Sequence, residues 1–306
     1  MDKLAFVFAG QGAQFEGMGS DLYNEFPTVR DVYDRAEQLR PGTIRQSFEA
    51  PLPELSVTRN TQPCMYVMES AIALLLAGHG IHPDALAGFS LGEVAAFQAA
   101  DAFDFEGGLR FILARAEAMD KAATATPGKM AAILRLPAED VENICSGIAN
   151  VWAVNYNCPG QTVISGSPDA VDSAIGEVGR LGGKAVLLAV SGAFHSPFMK
   201  PASEELHRHL QSAPPKPLGI PVYCNRTGDI ADGATLIEQM TLQVQSPVQW
   251  TRTIESMKRD GIRRYIEIGP GKVLTGLIRK IDPEAVVTNV QDSASFHRLI
   301  QEAEAR

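Results

Sequence analysis

The sequence predicts an α/β protein: a parallel sheet wound with helices, interrupted by a small ferredoxin-like βαββαβ unit. Three observations lead there. Apolar strands alternate with helical patterns over residues 1–124, the pattern becomes strand–helix–strand–strand–helix–strand over 125–191, and alternation returns over 192–306. The division is therefore a large unit of 1–124 plus 192–306 and an insertion of 125–191. Residues 4–9 form the first buried strand, followed by the loop Gly10-Gln11-Gly12-Ala13-Gln14. Residues 62–78 read as a helix with Pro63 in its first turn. A strand over 85–89 follows the turn at Pro83-Asp84, and 107–123 reads as a strong helix. In the insertion, strands are expected over 129–136, 151–155, 161–165 and 184–189, with helices over 138–146 and 169–181. Beyond it come a strand over 221–224, a helix over 249–259, a strand over 264–268 and a helix over 272–281.

The 306 residues, 45% hydrophobic and 21% charged, can bury a large core, as one big domain or two unequal ones. A net charge of -9 gives nucleic-acid binding no electrostatic support. Cys64, Cys145, Cys158 and Cys224 are scattered, with no CxxC pair, so neither a zinc site nor a disulfide framework is expected and a reducing cytoplasm fits. The apolar run after Met1 is short, carries Asp2 and ends at Gln11, so it reads as a strand and not a signal peptide. Residues 71–78 are too few to span a bilayer. No membrane role is expected.

Gly88-Phe89-Ser90-Leu91-Gly92 matches the G-x-S-x-G nucleophile elbow, and it falls where a strand gives way to a helical pattern. Such a turn exposes the Ser90 hydroxyl at a helix N-terminus. A chance Gly/Ser turn is the bland alternative. A serine nucleophile needs a base. His79 and His82 flank a glycine turn, His207 and His209 lie in a polar helix, and His297 lies on an expected surface helix. His195 differs, because Gly192-Ala193-Phe194-His195-Ser196-Pro197 leaves a strand and enters a helix, where α/β proteins build sites. A turn histidine bonded to backbone is its alternative.

On a helix over 107–123, the neighbours of Arg115 three and four residues away are Phe111, Ile112, Ala118 and Met119. Its guanidinium starts from an apolar face and needs a partner there. That partner is either an internal carboxylate or a substrate carboxylate held by the two-pronged guanidinium. The Gly10-Gln11-Gly12 loop is no dinucleotide fingerprint, since Phe15 replaces the third glycine. It suits an oxyanion loop, with the Gln11 backbone N–H joining that of Leu91. Gly269-Pro270-Gly271-Lys272 is followed by Val273, which rejects a P-loop, and Asn225-Arg226-Thr227 fits a glycosylation sequon but reads as a turn.

Taken in order, these segments resemble the malonyl-CoA:acyl-carrier-protein transacylase family of bacterial fatty-acid synthesis and its polyketide-synthase acyltransferase relatives. The resemblance runs along nearly the whole chain. It rests on Phe8-Ala9-Gly10-Gln11-Gly12-Ala13-Gln14, Thr61-Gln62-Pro63, Gly88 to Glu93, Arg115 with Met119, and Asn155-Tyr156-Asn157. It continues through Gly192-Ala193-Phe194-His195-Ser196, Ser246-Pro247-Val248-Gln249-Trp250 and Glu267-Ile268-Gly269-Pro270-Gly271. The resemblance implies an α/β-hydrolase-like large domain with the active site in the cleft beside the ferredoxin-like one. It implies Ser90 as nucleophile, His195 as base, and Gln11 and Leu91 as oxyanion donors. Arg115 would bind the malonyl carboxylate, with Gln62, Met119 and Phe194 lining the same pocket. Gln243 would orient the histidine through its main-chain carbonyl, with Asn157 and Asn225 in support. Two departures stand out: Phe89 where many relatives have histidine, and Arg115-Ala116 where Arg-Gly is frequent.

The implied reaction is a ping-pong transfer from malonyl-CoA, through a malonyl-serine ester, to the phosphopantetheine thiol of an acyl carrier protein. It needs no metal or redox cofactor. The chain holds no carrier or ketosynthase segment, so the carrier is expected to be a separate, acidic protein. Lys272, Arg279 and Lys280 are candidates for its docking surface. A serine hydrolase is the competing enzyme class, although His195 lies far from the C-terminal end where such hydrolases place it. A non-catalytic docking protein is the other, opposed by the joint presence of Ser90, His195, Gln11 and Arg115.

Overall fold

β1 (Lys3–Phe8) alternates its side chains between two cores, with Leu4, Phe6 and Phe8 on one face and Ala5 and Val7 on the other. A strand buried on both faces belongs at the centre of a sheet covered by helices. The computed structural model, which describes residues 2–190 and 192–304, places it there. β2 (Ala85–Gly88), β7 (Val222–Tyr223), β8 (Ile262–Ile268) and β9 (Val286–Val290) complete a five-stranded sheet in the order β7-β2-β1-β8-β9. All of its pairings are parallel.

The remaining strands are β3 (Lys129–Leu134), β4 (Val151–Cys158), β5 (Gln161–Gly166) and β6 (Lys184–Leu187). They form a separate antiparallel sheet in the order β4-β5-β3-β6. The helices Ala138–Ser146 and Pro168–Arg180 close a small core of their own on it, with Ile133, Val141, Val151, Ile164, Val171 and Val178 inside. Met130, Val154 and Val163 belong instead to the main core, so the opposite face of this sheet leans on the larger unit. Pro127 and Gly192 form an antiparallel bridge, which brings the chain's entry into this unit and its exit side by side. Ser191, the last residue of the expected insertion, lies outside the described residues, as do Met1, Ala305 and Arg306 at the ends of the expected large unit.

The structure corrects several element readings. The helix carrying Gln62 spans Thr58–Gly78, so Pro63 is interior and not in the first turn. Proline leaves one carbonyl of the preceding turn without its N–H donor. That carbonyl, Arg59 O, receives the Arg40 side chain at 3.4 Å instead. The strand expected to 136 stops at Leu134 because Arg135 takes φ 70°. β4 runs to Cys158, since irregular pairing keeps Asn155 and Tyr156 in register with Val163 and Thr162. β9 was not foreseen: its Val-Val-Thr-Asn-Val pattern is short and half polar, and pairing with β8 creates it.

Candidate active site

β1 and β2 pair in parallel, with Phe8 opposite Gly88, so the Gly10–Gln11 loop and the Ser90 turn emerge from one sheet end as neighbours. The approach is tight. A Cβ on Gly92 would fall 2.4 Å from Phe8 O, and one on Gly10 would fall 2.8 Å from the Phe89 ring. Only glycine lets the helix Gly92–Ala99 start this close to β1. Ser90 sits between strand and helix at φ 54°, a left-handed conformation costing roughly 1–3 kcal/mol outside glycine. His195 shares this feature, with φ 62°.

These two strained residues face each other, with Ser90 Oγ 2.7 Å from His195 Nε2. On its other edge, His195 Nδ1 lies 3.1 Å from the Gln243 carbonyl and 3.2 Å from the Ser246 carbonyl. Two acceptors at Nδ1 favour the tautomer that leaves Nε2 free to accept the serine proton. No carboxylate bonds this imidazole among the described residues. Burial, then the nearby Arg115 charge, lower the His195 pKa to about 4, against the pull of the two carbonyls. The imidazole is therefore neutral at physiological pH.

Arg115 lies on the helix Phe105–Ala125, whose first turn is capped by Asp104 accepting from Gly107 N–H at 2.7 Å. The apolar neighbours read from the sequence do bury it, to 1% exposure. Its Nη1 donates to Gln62 Oε1 at 2.8 Å, and its Nη2 to Gln243 Oε1 at 2.9 Å and to Ser90 Oγ at 3.1 Å. Its Nε has no partner among the described residues. Every acceptor is neutral, and Arg115 forms no ion pair within 4.0 Å among these residues. Burial lowers its pKa to about 10, with partial compensation from the charge of Glu93.

Around this cluster, Gln62 Nε2 reaches Met119 Sδ at 3.5 Å, and Gln243 Nε2 donates to Ser90 O at 2.7 Å. Asn225 accepts from Ser90 N–H at 2.7 Å and donates to Gly88 O at 2.6 Å. The backbone N–H groups of Gln11 and Leu91 make no hydrogen bond within the protein among the described residues. A cleft of about 380 Å³ opens beside Gln11, bounded also by Val57, Thr58, Asp120, Ala189 and Val190. Phe194 is buried next to His195 in the main core.

Not every expected residue converges here. Asn157 is buried on β4, its Oδ1 is unpartnered, and it bonds no member of the cluster. Phe89 packs edge-on against Trp250, with ring centroids 5.5 Å apart, so it braces the elbow from behind. His207 bonds Gln211 at 3.0 Å and His297 faces Glu25 at 2.5 Å, both as surface pairs. Lys272, Arg279 and Lys280 are exposed at and along the helix Val273–Ile281. Two members were missed in the sequence. The Ser246 carbonyl carries no side-chain signal. Glu93 stood inside the elbow motif, but nothing in its spacing marks a carboxylate that folds inward. No group of three or more potential metal ligands occurs among the described residues.

A serine and a histidine at bonding distance, with a buried cation beside them, form the candidate site. The acyl transferase domain family matches residues 5–305, and the chain belongs to that family. It is 37% identical to the malonyl CoA-acyl carrier protein transacylase of Bacillus subtilis, over 98% of this chain and 97% of that protein. The malonyl CoA-acyl carrier protein transacylase of Clostridium perfringens superposes with a TM-score of 0.95 at 34% identity, covering 99% of this chain and 98% of that one. A type II PKS acyl-carrier protein in complex with its malonyl-transacylase, PlMCAT with AntF, matches with a TM-score of 0.94 at 34% identity. That match covers 98% of this chain and 99% of the other.

Proposed function

We propose that this enzyme transfers malonyl from malonyl-CoA to the phosphopantetheine thiol of an acyl carrier protein, supplying extender units for fatty-acid synthesis. The observation that carries the reading is the buried Arg115, surrounded by neutral acceptors and aimed at the Ser90 hydroxyl. A carboxylate on the acyl group of a substrate bound at Ser90 is the partner it lacks.

The geometry supports a two-stage transfer. Ser90 Oγ attacks the thioester carbonyl while its proton moves to His195 Nε2. The open Gln11 and Leu91 N–H groups receive the developing oxyanion, helped by the N-terminus of the helix Gly92–Ala99. The C–S bond breaks, and CoA leaves with the proton from His195. The carrier thiol then attacks the malonyl-Ser90 ester, again losing its proton to His195, and the ester bond breaks to restore Ser90. Gln62, Met119 and Phe194 shape the malonyl pocket. The Gln243 carbonyl orients His195, while Asn225 and Asn157 support the surroundings. The chemistry uses no metal or redox cofactor. The exposed Lys272, Arg279 and Lys280 are the docking candidates for an acidic carrier.

The same reading takes 1–124 and 192–306 as an α/β-hydrolase-like catalytic unit and 125–191 as a ferredoxin-like subdomain. It is supported by the insertion's strand order, in which its second, third, first and fourth strands are neighbours. A cytoplasmic setting suits four buried free cysteines, and no helix among the described residues is long and apolar enough to cross a membrane. The test is intact mass after mixing with malonyl-CoA or acetyl-CoA, without carrier. A stable malonyl adduct on Ser90, absent with acetyl-CoA, is expected. Steady CoA release with no adduct would replace the transferase by a hydrolase.

A further inference from the structure

Glu93 takes no part in the steps above, yet it is a buried acid three residues after Ser90. It is the second residue of the helix Gly92–Ala99 and is 2% exposed. Its Oε1 accepts the backbone N–H of Asn225 at 2.5 Å. The Asn225 side chain then spans the elbow, holding Ser90 N–H with Oδ1 and Gly88 O with Nδ2. Asn225 thus clamps both ends of the turn that carries the strained serine. The clamp itself stands on irregular chain just after β7, a strand of only two residues at the sheet edge. Its backbone has two anchors, Glu93 on the N–H side and Gln249 N–H on its carbonyl at 2.7 Å.

We infer that Glu93 is a positioning residue for acyl transfer, fixing Asn225 so that the elbow holds Ser90 within reach of His195 and Arg115. The inference rests on the acyl-transfer reading of the site. A packing role alone does not account for the arrangement, because a buried carboxyl is costly and an apolar side chain of equal length would fill the same space. Burial raises the Glu93 pKa to about 7, opposed by the Asn225 N–H, Gln243 and the Arg115 charge. A carboxyl oxygen accepts the Asn225 N–H in either protonation state, and so would the amide oxygen of glutamine.

The experiment is single-turnover acylation by malonyl-CoA without carrier, followed by quenched intact mass for wild type, Glu93→Gln, Glu93→Met, Asn225→Ala and the double variant Glu93→Met/Asn225→Ala. Glu93→Gln is expected to acylate within about threefold of wild type, while Glu93→Met, which leaves a buried donor unmet, slows about ten- to hundredfold. The malonyl-CoA concentration at half-saturation should stay within about twofold, because Glu93 neither bonds Arg115 nor lines the cleft. The double variant should be no slower than Asn225→Ala, since both changes break one chain of bonds. Wild-type speed in Glu93→Met, equal damage in Glu93→Gln, or multiplying losses in the double variant would each overturn the inference. Should Glu93→Met fail to fold, Glu93→Asp, one methylene short, is expected to show the same slowing at unchanged half-saturation, and wild-type speed there would overturn it equally. A wild type that forms no adduct sinks the acyl-transfer reading and this inference together; a wild type that acylates while the variants match it sinks this inference alone.

Discussion

Arg115 brings a full charge into an interior that offers it only neutral oxygens and a distant Glu93. A charge-assisted pair with a substrate carboxylate is worth roughly 1.5–3 kcal/mol, or about ten- to a hundredfold in rate. Arg115→Ala should therefore lose malonyl transfer by at least that factor and gain acetyl transfer relative to malonyl. Parallel assays with the two CoA thioesters check this, and equal losses would remove the carboxylate role. The same charge depresses the imidazole beside it. With His195 in its proposed role as base, which requires a neutral imidazole, labelling of Ser90 by a fluorophosphonate should rise with pH through about 4 and then level off. Arg115→Met removes the second cause of the depression, so the rise should move to higher pH without reaching the ordinary histidine value, as burial remains. An unmoved profile would mean that Arg115 does not act on His195. The chemical groups Ser90, His195 and Arg115 were legible because each sits in a segment whose local pattern is unusual for its residue type. Glu93 and the Ser246 carbonyl were not, because their partners lie 132 and 51 residues away along the chain.

The elbow works as an element because its glycines permit contact that a methyl group would prevent. Gly92→Ala would place a Cβ 2.4 Å from Phe8 O and 2.5 Å from Ala9 O, both backbone atoms of the central strand and its exit. It should destabilise the protein by about 1–3 kcal/mol and slow acylation as the helix is pushed from β1. Gly176 provides the contrast. It is exposed within the helix Pro168–Arg180, and an added Cβ meets nothing within 4 Å. Gly176→Ala should stabilise by about 0.5–1 kcal/mol through helix propensity and a less flexible unfolded chain. Denaturant midpoints of the two variants should move in opposite directions; movement in the same direction would discredit the packing argument. Helix cores were readable from periodicity, but helix starts were not. The helix beginning at Thr58 starts with five polar residues and no side-chain cap, so the apolar pattern that begins after Pro63 conceals its first turn.

The parallel sheet encloses a second acid that is unrelated to the site. Glu69 is fully buried, neither of its oxygens has a partner among the described residues, and Glu267 lies near enough to raise its pKa further. Glu267 itself accepts from Leu274 N–H, Thr275 N–H and the Thr275 hydroxyl at the start of the helix Val273–Ile281. Burial first, and the Glu267 charge second, lift the Glu69 pKa well above its ordinary 4.5. The folded protein thus holds a proton that the unfolded chain releases. Stability from this group is complete below pH 4.5 and declines as pH rises toward the folded value, by up to about 1.4 kcal/mol per pH unit. Glu69→Gln should remove that decline. The difference between the urea midpoints of wild type and variant, followed upward from pH 5, should widen in favour of the variant until the pH passes the raised folded-state value; a constant difference would show that Glu69 does not titrate with unfolding.

The sequence alone determined the layered α/β plan, the change of pattern at the insertion and the residue types of the site. Each is written in local order: apolar runs of strand length, helical spacing, and glycines around a serine. Tertiary structure decided which groups meet. Parallel pairing of β1 with β2 brings the Gln11 loop to the elbow, and the chain after β7 carries Asn225 across it. It also decided that Arg115 would find neutral oxygens where an internal carboxylate was equally open, and that β9 would form at all. The physical reason is the same in every case. Hydrogen bonds between distant segments depend on where the backbone places their partners, and local periodicity carries no record of that placement.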